Sequence, residues 1–286
     1  MGSNTHSRTA ELTAVIRAWH FLYGERPLVL EDPFAIDLLS PELRDRCLNP
    51  DGQNTPGQGG SLAIVLGRAR YTEDKLEESV RTGTDQYVML GAGGDSFALR
   101  RPDLMSKIRA YEIDRTETQK WKQQRLTERG HELPVSLEFI PADLEFETVL
   151  EALDRSSFRR DRRAFFSWLG TTVYLTPDAI FRTLRSLAGD LVSGTEVIFD
   201  YRVQTEFIDP AEVDFVLAGD RATAEMGEPK HSFFNPYTFP DDIKATGFDM
   251  VENISPEQLT QRYFSDRKDM ARPTTHHWYA RIRLSG

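Results

Sequence analysis

The sequence has a single cysteine, Cys47, in 286 residues. One thiol cannot build an intramolecular disulfide framework or a cysteine-ligated zinc site, and it fits a reducing cytosol. Positive charge is also in short supply: 35 Lys and Arg stand against 45 Asp and Glu, a formal charge of −10. Nucleic acid is bound through a basic surface, so that class of partner is disfavoured; the local basic run Arg155, Arg159, Arg160, Arg162 and Arg163 is its one foothold. Long apolar runs are missing too. None reaches the roughly 18 residues of a membrane span, and the N-terminal MGSNTHSRTAELTA has no h-region, so neither a membrane association nor a secretory signal is expected and a cytoplasmic location is. What the chain does have is aromatic residues, with 17 Phe, 9 Tyr and 4 Trp in a composition 39% hydrophobic, which supplies a real core and excludes wholesale disorder.

Residues 8–48 read as helical, with Leu12, Val15, Ile16 and Trp19, then Phe34, Leu38 and Leu39, at spacings of three and four. Pro33 suits the first turn of a helix and Asp32 its N-cap. Residues 50–60 are turn formers with no apolar residue, a connection between an N-terminal helical cap and the main domain. From residue 87 onward, β-rich runs at 87–90, 108–113, 137–140, 164–168 and 196–199 alternate with helical stretches at 116–130, 145–154 and 177–189. Such alternation implies a parallel sheet covered by helices on both faces. The runs 249–253 and 275–283 read as two final strands, one of them antiparallel.

The first of these strands ends in Leu90-Gly91-Ala92-Gly93-Gly94-Asp95-Ser96. Glycines at a strand-to-helix turn let backbone amides approach a ligand closely, but the G-x-G-x-x-G pattern is broken, because Ser96 stands at the third glycine position. Asp114, at the end of the second strand, follows Gly93 by 21 positions, near the spacing of about 20 at which doubly wound folds place the acid that accepts from ribose hydroxyls. Glu112 alternates to the opposite face of that strand and is the alternative. Asp143, after the third strand, suits either an exocyclic amine such as N6 of adenine or the N-cap of the next helix.

Together, Arg70-Tyr71-x-x-Asp74, LGAGGDS at 90–96, YEID at 111–114, PADLE at 141–145 and VYLTP at 173–177 resemble the leucine carboxyl methyltransferase-like family of S-adenosylmethionine-dependent methyltransferases. Asp32-Pro33-Phe34-Ala35 and Arg262-Tyr263-Phe264-x-x-Arg267 extend the resemblance to both ends. It implies a class I fold: an α/β, Rossmann-like, seven-stranded mostly parallel sheet with one antiparallel strand. It further implies a helical cap and linker over residues 1–60, a methyltransferase domain over 61–286, and a lid inserted after strand five at about 204–240. Carried over by residue, Gly91, Ala92 and Gly93 form the loop under the methionine part, Asp114 is the ribose acid, and Asp143 with Leu144 contacts the adenine. Arg70 matches an arginine that pairs with the methionine carboxylate, with Arg68 as the alternative; a guanidinium suits that task because it can give two charge-assisted bonds. One departure is Leu169, which stands where many relatives carry a glutamate that contacts the cofactor's ammonium group.

The acceptor is expected to be a small molecule presenting a carboxylate or a hydroxyl, in a setting such as secondary metabolism. A carboxylate needs no general base, whereas a hydroxyl benefits from one. His231, Tyr201 and Arg202 are the catalytic-side candidates: His231 as a base near neutral pH, Arg202 as a partner for a substrate carboxylate, and Tyr201 by its place at the end of strand five. Phe207, Phe215, Phe233, Phe234 and Phe239 offer either an apolar substrate wall or core packing. No metal site is expected, and His276 and His277, if both lie on a strand, cannot share one ion because they face opposite sides. Two rivals remain: a nicotinamide-dependent oxidoreductase, weakened by Ser96 and the lack of a Tyr-x-x-x-Lys pair, and a non-catalytic cofactor-binding scaffold.

Overall fold

Seven strands form one sheet in the order β3-β2-β1-β4-β5-β7-β6. They are β1 (Gln86–Leu90), β2 (Arg109–Asp114), β3 (Leu137–Pro141), β4 (Ala164–Trp168), β5 (Glu196–Arg202), β6 (Phe248–Ile254) and β7 (His277–Leu284). The first five run parallel, and β7 is antiparallel to both β5 and β6. The structure, a computed structural model, describes residues 8–50, 60–225, 227–269 and 272–286; most of the turn-rich 50–60 connection lies outside the described residues. The expected seven-stranded α/β sheet with one reversed strand is thus present. Every residue of β1, β4 and β5 is buried, as befits strands covered on both faces, which is why they read as nearly continuous apolar runs.

The helices are α1 (Arg8–Tyr23), α2 (Pro41–Leu48), α3 (Gly60–Arg81), α4 (Phe97–Arg100), α5 (Pro102–Met105), α6 (Thr116–Glu128), α7 (Val149–Leu153) and α8 (Pro177–Asp190). After β5 come α9 (Val213–Glu225) and α10 (Phe239–Lys244), and α11 (Pro256–Tyr263) lies between β6 and β7. The start of α8 follows from its sequence: the Thr176 hydroxyl accepts the Ala179 amide at 3.3 Å, Pro177 occupies the first turn, and Ile180, Leu184 and Leu187 bury one stripe. The long α3 does not stand out as periodic, since its buried face mixes Ala63, Leu66, Gly67, Ala69 and Thr72 with larger residues. It packs closely on α11, where a side chain at Gly67 would come within 2.6 Å of Leu259.

The cap differs from its expected pattern in which face it buries. Ala14, Val15, Arg17 and Ala18 turn inward while Leu12 stays 47% exposed. Inside, the Arg17 Nε donates to Asp32 at 2.8 Å, and Asp32 also accepts from the Ser96 hydroxyl at 2.7 Å and the Ala35 amide at 3.0 Å. Ser96 in turn accepts from Arg100 Nε at 2.9 Å. This buried cluster explains why the third glycine is replaced: position 96 carries a hydroxyl that joins the cap to the glycine loop, and its φ of −112° does not require glycine. At the other end of the chain, Arg267 donates to the carbonyls of Pro27 at 3.0 Å and Glu25 at 3.2 Å, so the terminal motif also fastens the cap.

His20 lies fully buried in the cap, its Nε2 accepting the Val29 amide at 3.1 Å. Burial, reinforced by the charge of Arg267, lowers its pKa from 6.5 to about 4. The unfolded chain therefore binds a proton that the folded chain refuses between those values, and stability falls as pH drops through that window, by about 3 kcal/mol for this group. His276 and His277 are shifted downward by burial as well and act in the same direction. The melting temperature of the wild type is expected to fall between pH 7 and pH 4, with a shallower fall in His20→Gln; equal slopes in the two proteins would refute the assignment.

Candidate active site

The carboxyl ends of β1, β2 and β3 gather the first set of residues. Gly91 (φ +68°) and Gly93 (φ +53°) hold left-handed conformations, so the loop needs glycine at both. An added side chain at Gly91 would also collide with Thr171 at 2.6 Å, and one at Gly93 would crowd Ala10 of α1 at 3.3 Å. The Gly91 amide donates to the Ile113 carbonyl at 2.9 Å, and the Gly93 amide to Asp114 Oδ2 at 2.6 Å. Asp114 Oδ1 accepts the Arg115 amide at 2.7 Å, and burial raises the carboxyl's pKa despite these bonds. A carboxylate has about four acceptor sites, so both oxygens retain capacity. Glu112 is placed elsewhere: it is buried on the other side of β2, bound by Lys122 Nζ at 2.6 and 2.7 Å. Asp143 lies beside Asp114 at the neighbouring strand tip. Its Oδ1 accepts the Glu145 amide at 3.0 Å and Arg115 Nε stands 3.4 Å from its Oδ2, while Leu144 packs partly buried against the core.

The ends of β4 and β5 carry the second set, and here one expectation is corrected. Arg70 is on the exposed face of α3, where its Nε donates to Asp74 at 2.8 Å and NH1 reaches the Val29 carbonyl at 3.5 Å. Asp74 also accepts the Tyr263 hydroxyl at 2.9 Å, so this motif joins α3 to α11. It is Arg68 that reaches the strand tips, with NH1 3.4 Å from Asp200 Oδ2 and its guanidinium filling the space a side chain at Gly170 would need. Asp200 is fully buried and accepts the Gly170 amide at 2.6 Å; His277 Nδ1 is 3.3 Å away. Burial alone would raise this carboxyl, but Arg68, His277 and the Gly170 amide outweigh it and hold its pKa at about 2. Thr171 Oγ1, beside Gly91, is buried without a hydrogen-bond partner among the described residues.

A glycine cradle with little room for side chains, a half-buried acid at the tip of β2, a buried hydroxyl unpartnered among the described residues and an arginine at the tip of β4 together fit a nucleoside whose other end carries a carboxylate. Residues 10–188, which include every one of these groups, match the family model described as leucine carboxyl methyltransferase. The chain belongs to the leucine carboxyl methyltransferase family. With it, this is an S-adenosylmethionine-dependent methyltransferase, and the oxidoreductase alternative is set aside. YktD of Bacillus subtilis (strain 168), which carries the name of an S-adenosyl-L-methionine-dependent methyltransferase, is 28% identical over 98% of this chain and 99% of its own. FRAAL3836 of Frankia alni, similarly named, is 29% identical over 76% of this chain and 74% of its own. A methyltransferase-type crystal structure from Thermobifida fusca YX superposes with a TM-score of 0.59 over 100% of this chain and 97% of its own at 14% identity. A DUF574 family protein from Streptomyces avermitilis gives 0.56 over 94% and 96% at 15% identity. At that identity both speak to the fold alone.

On the acceptor side of this methyltransferase, two expectations change. Tyr201 turns away from the strand-tip edge into the core: it is 1% exposed, its ring lies 4.4 Å from that of Phe239, and its hydroxyl donates to Asn253 at 2.7 Å. Burial pushes that phenol well above its ordinary pKa, which suits packing rather than proton transfer. Arg202 is 1% exposed and forked onto Asp220 of α9, with NH2 to Oδ2 at 3.0 Å. His231 is exposed, on the stretch after α9, and its backbone amide donates to the Val173 carbonyl at 2.9 Å. Of the five phenylalanines between β5 and β6, Phe234 and Phe239 are core, Phe207 packs on Tyr237, Phe215 is 59% exposed, and Phe233 lies beside Arg202. His276 precedes β7 and His277 opens it, and their rings touch at 4.6 Å instead of facing opposite sides.

Sequence reasoning missed Arg17, Asp220 and Lys230. A charged residue inside the apolar stripe of α1 is the signal available for Arg17; nothing in the spacing marks the other two. The basic run is charge-compensated, with Arg155, Arg159, Arg160 and Arg162 paired to Glu147, Asp161, Asp154 and Asp85. Among the described residues no cluster of His, Cys, Asp and Glu could hold a metal ion, and no helix is long and apolar enough to cross a membrane.

Proposed function

We propose that the protein methylates an oxygen, a carboxylate or a hydroxyl, of a small molecule in the cytoplasm, in a setting such as secondary metabolism. The observation that carries this is the open cleft of about 320 Å³ beyond the end of β5, lined by Val203, Ile208, Leu217 and Phe233 together with Arg202, Glu206 and Asp220. Its size and mixed lining suit a small organic acceptor. When bound, S-adenosylmethionine supplies an electrophilic methyl group on a sulfonium. The protein's part is position and electrostatics. Gly91, Ala92 and Gly93 form the floor, Asp114 accepts from the ribose hydroxyls, Asp143 and Leu144 meet the adenine, and Arg68 pairs with the methionine carboxylate. Arg68 takes this role in place of Arg70 because it alone of the two reaches the strand tips. Asp200 orients its guanidinium. A carboxylate acceptor needs no base; for a hydroxyl acceptor, His231 is the group the lid offers.

Thermal melting separates this reading from its rivals. S-adenosylmethionine and S-adenosylhomocysteine at 100 times their dissociation constants should each stabilise the protein by about 2.7 kcal/mol, and NAD(P) should not. No shift with either sulfur compound would refute the proposal. Retained binding with no turnover on carboxylate or hydroxyl acceptors would leave the non-catalytic scaffold.

A further inference from the structure

Arg115 leaves the tip of β2 directly after Asp114. Its amide donates to Asp114 Oδ1 at 2.7 Å, so its backbone is fixed to the acid proposed for the ribose. Its side chain reaches across to the neighbouring strand tip, where Nε stands 3.4 Å from Asp143 Oδ2 and a terminal nitrogen donates to Glu145 Oε1 at 2.7 Å. The two tips are adjacent because Asp114 pairs with Pro141 in the parallel ladder, and the Ala142 amide donates to the Asp114 carbonyl at 2.9 Å. The guanidinium therefore spans the gap between the acid proposed for the ribose and the acid proposed for the adenine.

As an ion pair alone this contact does little for the fold. The side chains of Arg115, Asp143 and Glu145 are 57%, 38% and 59% exposed, and pairs so open to water are screened. Its geometry has a different use. Carboxylates meet a guanidinium at its edges and leave its two flat faces free, while their charge reduces what it costs to take the cation out of water. Among the described residues no aromatic ring lies over this guanidinium. A flat cation with open faces at a strand tip is a surface on which a purine stacks.

We propose that Arg115 is one wall of the adenine slot: the base lies flat on its guanidinium, Glu145 holds the edge of that plane, and the exocyclic amine takes the place of Nε at Asp143 Oδ2. The inference rests on the cofactor roles proposed for Asp114 and Asp143, and adds the residue that orients the base between them. One donor replaces another at Asp143, so the exchange leaves that carboxylate paired.

The test titrates the full chain calorimetrically with S-adenosylhomocysteine and with 5′-methylthioadenosine, which has the base and ribose but not the amino-acid part. Arg115→Ala should weaken both ligands by the same factor of about ten, the effect of a cation lying on a base face. Its melting temperature should stay that of the wild type, because an exposed ion pair is all that the ligand-free fold loses. Arg115→Trp restores a plane without the charge and should regain most of both affinities. Arg115→Lys keeps the charge without the plane and should stay close to the alanine variant. Unchanged affinities in Arg115→Ala, a loss confined to S-adenosylhomocysteine, full recovery in Arg115→Lys, or a tryptophan variant no better than alanine would overturn the proposal. Unchanged binding in Asp114→Ala, or no binding of S-adenosylhomocysteine by the wild type, would instead strike the cofactor reading beneath it.

Discussion

Replacing Asp114 with alanine is expected to weaken S-adenosylhomocysteine binding about a hundredfold, the largest loss from any single carboxylate in the site. In the proposed ribose role, two hydroxyls donating to this half-buried carboxylate contribute on the order of 3 kcal/mol together. Asp114 has a second task, since its Oδ2 holds the Gly93 amide at 2.6 Å. The alanine variant therefore also loses a tether of the glycine loop, worth about 1 kcal/mol of stability. Asp114→Asn separates the two effects. It keeps an acceptor oxygen for Gly93 but gives up the charge, so its melting temperature should stay near wild type while affinity drops about tenfold. Calorimetric titration of the three proteins checks this; a dissociation constant within twofold of wild type in the alanine variant would remove Asp114 from the cofactor site.

Asp114 is legible in the sequence because strand ends are marked by punctuation. A glycine turn after one β-rich run and an acid at the end of the next place both at the carboxyl edge of a parallel sheet, whatever the details of packing. The same logic locates Asp143 and the order of strands and crossover helices. Helix faces are less legible. The buried face of α1 is built largely from alanines and Arg17, with Leu12 outside, because a cap lying flat on the glycine loop needs small residues where backbones approach. The segment between β5 and β6 is least legible, since five phenylalanines at irregular spacing do not declare which line a cavity, and the partner of Arg202 comes from a helix 18 residues away in sequence. Tyr201 misleads for a simple reason: it shares a strand tip with Asp200 and Arg202, but alternation sends it to the opposite face.

Arg68 and Arg70 give the sharpest contrast between sequence and fold, and the two should respond very differently to alanine. Two residues along an α-helix correspond to about 200° of rotation, so only one of the pair can face the sheet. Arg68 is that one, 3.4 Å from Asp200, whereas Arg70 is tied to Asp74 on the outside. Arg68→Ala is expected to weaken S-adenosylhomocysteine about a hundredfold, the worth of a bidentate guanidinium–carboxylate pair of about 3 kcal/mol. It should also lower the melting temperature, because Asp200 is left buried with the Gly170 amide and His277 as its remaining partners. The second effect complicates the first, so a ligand lacking the amino-acid half is needed. 5′-Methylthioadenosine carries the adenine and ribose but no carboxylate, and its affinity should be the same in wild type and Arg68→Ala. Arg70→Ala should bind both ligands within twofold of wild type, since its bonds lie between α3, Asp74 and Val29. If instead Arg70→Ala lost S-adenosylhomocysteine selectively and Arg68→Ala did not, the carboxylate would lie on the outer face of α3, and Asp200 would be a purely structural charge.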